Sequence, residues 1–69
     1  MKISSRNVLE GRVKKLVHHD VHTEVTIELP GGQELVSVVT NASAHRLELA
    51  EGMTVNAIIR ASSIVLGVD

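Results

Sequence analysis

Val21-His22-Thr23-Glu24-Val25-Thr26-Ile27-Glu28-Leu29, then Pro30-Gly31-Gly32, then Gln33-Glu34-Leu35-Val36-Ser37-Val38-Val39: this stretch decides the fold. Val21, Val25, Ile27 and Leu29 share one face of an extended chain, and Glu24, Thr26 and Glu28 take the other. Such period-two alternation marks a half-buried strand. Proline presets φ and glycine accepts positive φ, so residues 30–32 read as a turn. The stretch therefore predicts two strands, 21–29 and 33–39, paired as a hairpin.

Upstream, Val8 to His18 reads as a first strand with imperfect alternation, in which Gly11 marks a bulge or a close backbone approach. His19-Asp20 supplies the turn into the hairpin. Downstream, Thr40-Asn41-Ala42-Ser43-Ala44-His45-Arg46-Leu47 changes character. Thr40 or Asn41 can cap a short helix, Ala42 and Ala44 favour it, and His45 and Arg46 suit its C-terminal end. Glu51-Gly52 is a turn, and 54–60 and 63–68 are the last strands, separated by Ala61-Ser62. The expected fold is all-β: a small OB-like five-stranded Greek-key barrel, with one short helix between the third and fourth strands and residues 1–69 forming one domain.

Composition narrows the partners. A 69-residue chain buries only roughly 60% of its unfolded surface. It has no cysteine to staple it and no Phe, Tyr or Trp; eleven valines and five isoleucines carry the apolar load. Oligomerisation is the remaining general remedy for so small a core. Net charge is −1, although five of the seven basic residues lie within the first fifteen positions. Single-stranded nucleic acids are held largely by stacking on aromatics, so a nucleic-acid binder, the usual rival for an OB-like fold, is disfavoured. No run approaches the roughly 20 apolar residues of a membrane span. The Met-Lys start leads into Ser4-Ser5-Arg6-Asn7 and not into an apolar signal segment, so a cytoplasmic location is expected.

Three segments concentrate hydrogen-bond donors. Ser4-Ser5-Arg6-Asn7 offers two hydroxyls, a guanidinium, an amide and backbone N–H groups, with no acid among them. A tetrahedral dianion wants such a set. Arg60-Ala61-Ser62-Ser63 adds a second cation at a bend that can point successive N–H groups into an anion-binding nest. Thr40-Asn41-Ala42-Ser43 opens a helix, where free N–H groups also attract anions. Taken singly, the three also fit a frayed terminus, an ordinary turn and a helix cap. His18, His19, His22 and His45 suggest a metal cluster only superficially. Adjacent His18 and His19 would face opposite sides of a continuing strand, and no cysteine or clear carboxylate completes a zinc spacing. They read as surface or turn histidines, with no metal cation. Nothing pairs a nucleophile with a base, so an enzyme is not expected.

The same residues carry a resemblance that covers nearly the whole chain. Met1-Lys2-Ile3-Ser4-Ser5-Arg6-Asn7, Leu9-Glu10-Gly11-Arg12-Val13, Val38-Val39-Thr40-Asn41-Ala42-Ser43, Leu47-Glu48-Leu49-Ala50-Glu51-Gly52 and Ala57-Ile58-Ile59-Arg60-Ala61-Ser62-Ser63-Ile64 together resemble the molbindins. These are also described as Mop or TOBE-type molybdate-binding domains. The resemblance implies a homo-oligomer, a hexamer built as a trimer of dimers. It implies molybdate or tungstate bound as a small inorganic oxyanion between subunits, without a redox cofactor. Ser4, Ser5, Arg6 and Asn7 match the N-terminal half of the family's site; Arg60, Ala61 and Ser62 match the C-terminal half, which the resemblance assigns to another subunit. Thr40 and Ser43 match a second class of site, with the turn at His19, Asp20 and Val21 as companion. Two departures stand out. Position 60 is Arg where many relatives have Lys, exchanging a compact ammonium for a planar fork. The His18-His19-Asp20 turn lacks the glycine often found there. The implied function is intracellular molybdate storage or homeostasis. The alternative is an accessory module that senses the oxyanion for a regulator or transporter.

Overall fold

The computed structural model describes residues 6–69. Four strands, β1 (Val8–His18), β2 (His22–Glu28), β3 (Glu34–Thr40) and β4 (Thr54–Ile58), form one sheet, with a short helix α1 (Asn41–Arg46) between β3 and β4. The spatial order is β3-β2-β1-β4 and every pairing is antiparallel. Three meandering strands, with a fourth returning beside the first, make a Greek key.

The hairpin forms as its alternation predicts, one residue shorter at each end of β2. Its turn closes through Gly32 N–H donating to Leu29 C=O at 2.9 Å and Leu29 N–H donating to Gln33 C=O at 2.8 Å. Val25 and Ile27 are buried on the inner face, but Val21 is not with them: it lies before the strand and is 62% exposed. The third inner position of β2 is Thr23, fully buried. Around Val13, Val25 and Ile27 pack the partly buried Leu16, Leu29, Leu35, Val39, Leu49, Met53, Val55 and Ala57.

The irregular alternation of β1 has two causes. Pairing with β2 runs Arg12 to Glu28 and Val13 to Ile27, then resumes with Lys15 at Thr26, so Lys14 is the extra residue of a bulge. That places Lys14 and Lys15 both outward, and Lys14 reaches Glu34 and Glu28 at 2.5 and 3.8 Å. Gly11 is not the bulge but the close approach: a β-carbon there would lie 2.6 Å from Ile27 Cγ2 and 2.8 Å from Glu28 O.

Helix α1 begins where Thr40, extended at φ −70° and ψ 153°, accepts the Ser43 N–H on its hydroxyl at 3.0 Å. It ends in a Schellman pattern. Glu48 N–H donates to His45 C=O at 3.0 Å, and Leu49 N–H donates to Ala44 C=O at 3.1 Å. Glu48 holds the left-handed position (φ 54°) that glycine usually fills.

The expected fifth strand is absent among the described residues. β4 stops at Ile58, and Ala61–Ser63 form a 3-10 turn. The sequence beyond has strand composition, but a strand also needs a hydrogen-bonding neighbour, and this chain offers residues 64–68 none. Val65, Leu66 and Val68 are 92%, 89% and 99% exposed. The ladder therefore has four strands, and β3 and β4 remain its two edges. The space between them is a cleft of about 280 Å³ lined by Ile27, Leu35, Val36, Ser37, Ala57, Ile58 and Ile59.

Two substitutions test this packing by urea unfolding at one fixed subunit concentration. Gly11→Ala forces overpacking against Ile27 and the β2 backbone and should lose about 1–3 kcal/mol. Glu48→Gly relieves a left-handed non-glycine residue, which costs roughly 1–2 kcal/mol. Offset by glycine's greater unfolded-state entropy, the expected net gain is about 0.5–1 kcal/mol. Equal midpoints for Gly11→Ala and wild type would contradict the contact at Gly11.

Candidate functional site

One end of the sheet collects the two strongest donor segments. Where β1 begins, Asn7 C=O accepts the Ile59 N–H at 2.9 Å. This continues the register in which Val8 faces Ile58 and Leu9 faces Ala57. Arg6 and Arg60 are the next residues outward along the chain from that bond, one on each segment. The two segments, 52 positions apart in sequence by the difference of 59 and 7, thus adjoin within a single chain. The resemblance assigns these two segments to different subunits, whereas here they also adjoin within one chain. Ser4 and Ser5 lie outside the described residues.

Arg6 and Arg60 are both exposed, and neither has an ion-pair partner among the described residues, where the ion pairs belong to Lys14. Like charges directly opposite on neighbouring strands destabilise a sheet. An anion between them reverses the sign of that term. Past Arg60 the chain turns: Ser63 N–H donates to Arg60 C=O at 2.9 Å and Ile64 N–H to Ala61 C=O at 3.3 Å. No side chain caps the turn, and Ser62 is exposed. The two adjoining segments carry two guanidiniums, hydroxyls and a turn without an acid among them, the residue types that suit an oxyanion.

The opposite end of the sheet brings together the second pair of segments. Asn41 N–H donates to Val21 C=O at 2.8 Å, and Asn41 Nδ2 donates to the carbonyls of His19 and Asp20 at 2.9 and 3.2 Å. The turn at His19, Asp20 and Val21 is thereby held against Thr40–Ser43. Several donors are consumed in doing so. The Thr40 hydroxyl accepts from Ser43 N–H and donates to Ser43 Oγ at 2.9 Å, which leaves the Ser43 hydroxyl proton as an outward donor. The Asp20 carboxylate adds a negative charge that the first corner does not carry. Asn41, read from sequence only as a possible cap, is the residue that joins these segments. Its one local signal was an amide side chain at a helix start.

The histidines do not cluster. His18 Nδ1 is 2.9 Å from the buried Thr23 hydroxyl, and His19 N–H donates to His22 C=O at 2.7 Å. Among the described residues no group of three His, Asp or Glu side chains is placed to hold a metal ion. Lys14, by contrast, is held protonated more firmly than usual, first by its hydrogen bond to Glu34 and then by the charges of Glu34 and Glu28. It is an exposed structural pair, remote in register from the Arg6 corner.

Four antiparallel strands in the order β3-β2-β1-β4 with one short helix define a small Greek-key β-domain. The TOBE domain model matches residues 3–66, and the chain belongs to that family. It is 41% identical over 69 residues to a probable molybdenum-pterin-binding protein of Haemophilus influenzae, covering all of both chains. Among solved structures, it is similar to a molybdate-binding protein from Sporomusa ovata, with a TM-score of 0.88 and 36% identity over 96% of this chain and 97% of that one. It is also similar to the cytoplasmic molybdate-binding protein ModG, solved with molybdate bound, with a TM-score of 0.94 and 40% identity. That match covers all of this chain and 49% of the ModG chain.

The arginines of the two adjoining segments give a test that needs no ligand. In anion-free, low-salt buffer, Arg60→Gln should raise thermal stability by a few tenths to about 1 kcal/mol, because it removes a cross-strand repulsion. Raising the salt to about 1 M, where the screening length is about 3 Å, should erase the difference. A destabilised Arg60→Gln variant under both conditions would show that Arg60 is not opposed by a like charge.

Proposed function

We propose that this chain binds molybdate, or the near-isosteric tungstate, through Ser4, Ser5, Arg6 and Asn7 together with Arg60, Ala61 and Ser62. The observation that supports the reading is the Asn7–Ile59 hydrogen bond beyond the β1–β4 ladder, which brings the Arg6 segment beside the Arg60 segment and its uncapped turn, with no acid in either. The names of the relatives supply the anion's identity, since the corner itself specifies only a compact, doubly charged acceptor. The chain acts as a binder and not as a catalyst, and no step of its action calls for a redox cofactor. His19, Asp20, Val21, Thr40 and Ser43 form a second, weaker oxyanion site at the other end of the sheet.

The protein works as a homo-oligomer, with a hexamer built as a trimer of dimers the assembly its family resemblance implies. Supporting this, Ile64, Val65, Leu66 and Val68 project apolar surface into water, and Val36 and Val38 do the same from edge strand β3. The open cleft between β3 and β4 has an apolar wall. Residues 64–68 have the composition of a strand without a neighbour, and a second copy's free edge supplies one. The segment starts directly after the Arg60–Ser62 turn, so its docking orders one half of the oxyanion corner. Binding and assembly are then linked, because a ligand that favours the assembled state stabilises it.

The biological role that fits is cytoplasmic storage or buffering of the anion, with an accessory sensing module as the alternative. No helix among the described residues is long and apolar enough to cross a membrane.

Calorimetry with molybdate, tungstate and sulfate tests the reading. Arg6→Ala and Arg60→Ala should each weaken molybdate binding tenfold or more, since a charge-assisted hydrogen bond contributes about 1.5–3 kcal/mol. Lys15→Ala, an outward charge in mid-strand, should bind like wild type. Equal affinities for all three variants would remove the site from this corner. Light scattering should give a mass several times the 7.4 kDa of one chain; a monomer at micromolar concentration would overturn the assembly.

A further inference from the structure

Thr23 is a polar residue in the most buried position of the fold, on an inner face otherwise built from Val25 and Ile27. Valine has nearly the same shape and avoids the cost of burying a hydroxyl, so the hydroxyl is retained for its hydrogen bonds. Those bonds form a chain whose direction can be deduced. Carbonyl oxygens only accept, so the Asn41 group facing the carbonyls of His19 and Asp20 is its Nδ2, and Oδ1 faces Thr23. The single Thr23 proton is donated to Oδ1 at 2.6 Å. Thr23 Oγ1 must then accept from its other neighbour, His18 Nδ1, at 2.9 Å. His18 is therefore held with its proton on Nδ1, and its neutral ring has a bare Nε2.

We propose that Thr23 is a positioning residue for the second oxyanion site: through Asn41 it fixes the turn at residues 19–21 against Thr40–Ser43, and through His18 it anchors the end of β1 that feeds the turn. The inference rests on the reading of those two segments as an oxyanion site. It adds to that reading a buried residue that touches no ligand yet sets the geometry of both halves. Removing the hydroxyl takes away the one protein donor to Asn41 Oδ1 at this position, and the amide is then free to turn away from the carbonyls it bridges. The corner at Arg6 and Arg60 lies at the other end of β1 and does not depend on this chain of bonds.

The experiment uses the full chain as wild type, Thr23→Val and Thr23→Ser, with Thr23→Ala as a second hydroxyl-free variant. Nitrogen-15 NMR in alkaline buffer reads the His18 tautomer, and molybdate calorimetry reads the classes of site. The expected result is His18 protonated on Nδ1 in wild type and Thr23→Ser, and on Nε2 once the hydroxyl is removed. Wild type and Thr23→Ser should show two classes of molybdate site. Thr23→Val and Thr23→Ala should keep the class that depends on Arg6 and weaken the other at least tenfold. Retention of both classes without the hydroxyl, or an Nε2-protonated His18 in wild type, overturns the positioning role. A single class of site in wild type overturns the second-site reading and the positioning role with it; an Nδ1-protonated His18 beside that result shows that the failure lies in the site and not in the hydrogen-bond chain.

Discussion

Strand β1 is hydrogen-bonded along both edges, and every other element is placed by that double pairing. Its eleven residues carry β2 on one side and β4 on the other. The pairing with β4 extends past the strand's end, as Val13 N–H donates to Met53 C=O at 2.9 Å and Gly52 N–H to Val13 C=O at 2.7 Å. Two local devices let one strand serve both neighbours. Gly11 lets β2 approach without a side chain in the way, and the bulge at Lys14 shifts the register so that Val13 and Leu16 both turn inward. One end of β1 then meets the end of β4 and joins the chain at Asn7 to the chain at Ile59, next to Arg6 and Arg60. Its other end presents His18 to Thr23 and so to the start of α1. Both candidate sites are consequences of where β1 starts and stops.

The core that results is small. Val13, Val25 and Ile27 are its buried aliphatics, and full burial of such a side chain contributes about 1.5–3 kcal/mol. Without an aromatic, no single residue can add a much larger buried area. Meanwhile the last five residues before Asp69 include Val65, Leu66 and Val68, each nearly fully exposed. A chain that buries so little and exposes so much apolar surface gains stability by association. The same segment leads out of the Arg60–Ser62 turn, so the exposed apolar surface and one half of the candidate site lie on one stretch of backbone.

Much of this architecture was legible from residue order. The hairpin followed from alternation and from Pro30-Gly31-Gly32, and α1 from Thr40 with the alanines after it. The strand expected over 63–68 did not form, because apolar β-branched composition describes what a strand would bury and not whether a ladder partner exists. Val21 was placed on the inner face by alternation, yet the strand starts after it, where Asn41 takes the Val21 carbonyl. Of the candidate corner, the residue types were readable, and the family resemblance assigned the two segments to different subunits. Their adjacency rests on the Asn7–Ile59 bond, which has no local signature. The role of Thr23 was invisible, since a threonine in a strand interior looks like any other β-branched residue.

What the sequence determined by itself was therefore everything that depends on neighbours along the chain: alternation, turn chemistry, helix capping, and the clustering of donors without acids at Ser4–Asn7 and Arg60–Ser62. What the tertiary structure decided was the set of relations across the sheet. These are the bulge at Lys14, the adjacency of Asn7 and Ile59, the bridge from Asn41 to the β1–β2 turn, and the lack of a ladder neighbour for residues 64–68 among the described residues. The physical reason is that a local preference spans a few residues, whereas register is fixed by hydrogen bonds between segments tens of residues apart. A shift of one residue turns each side chain to the other face.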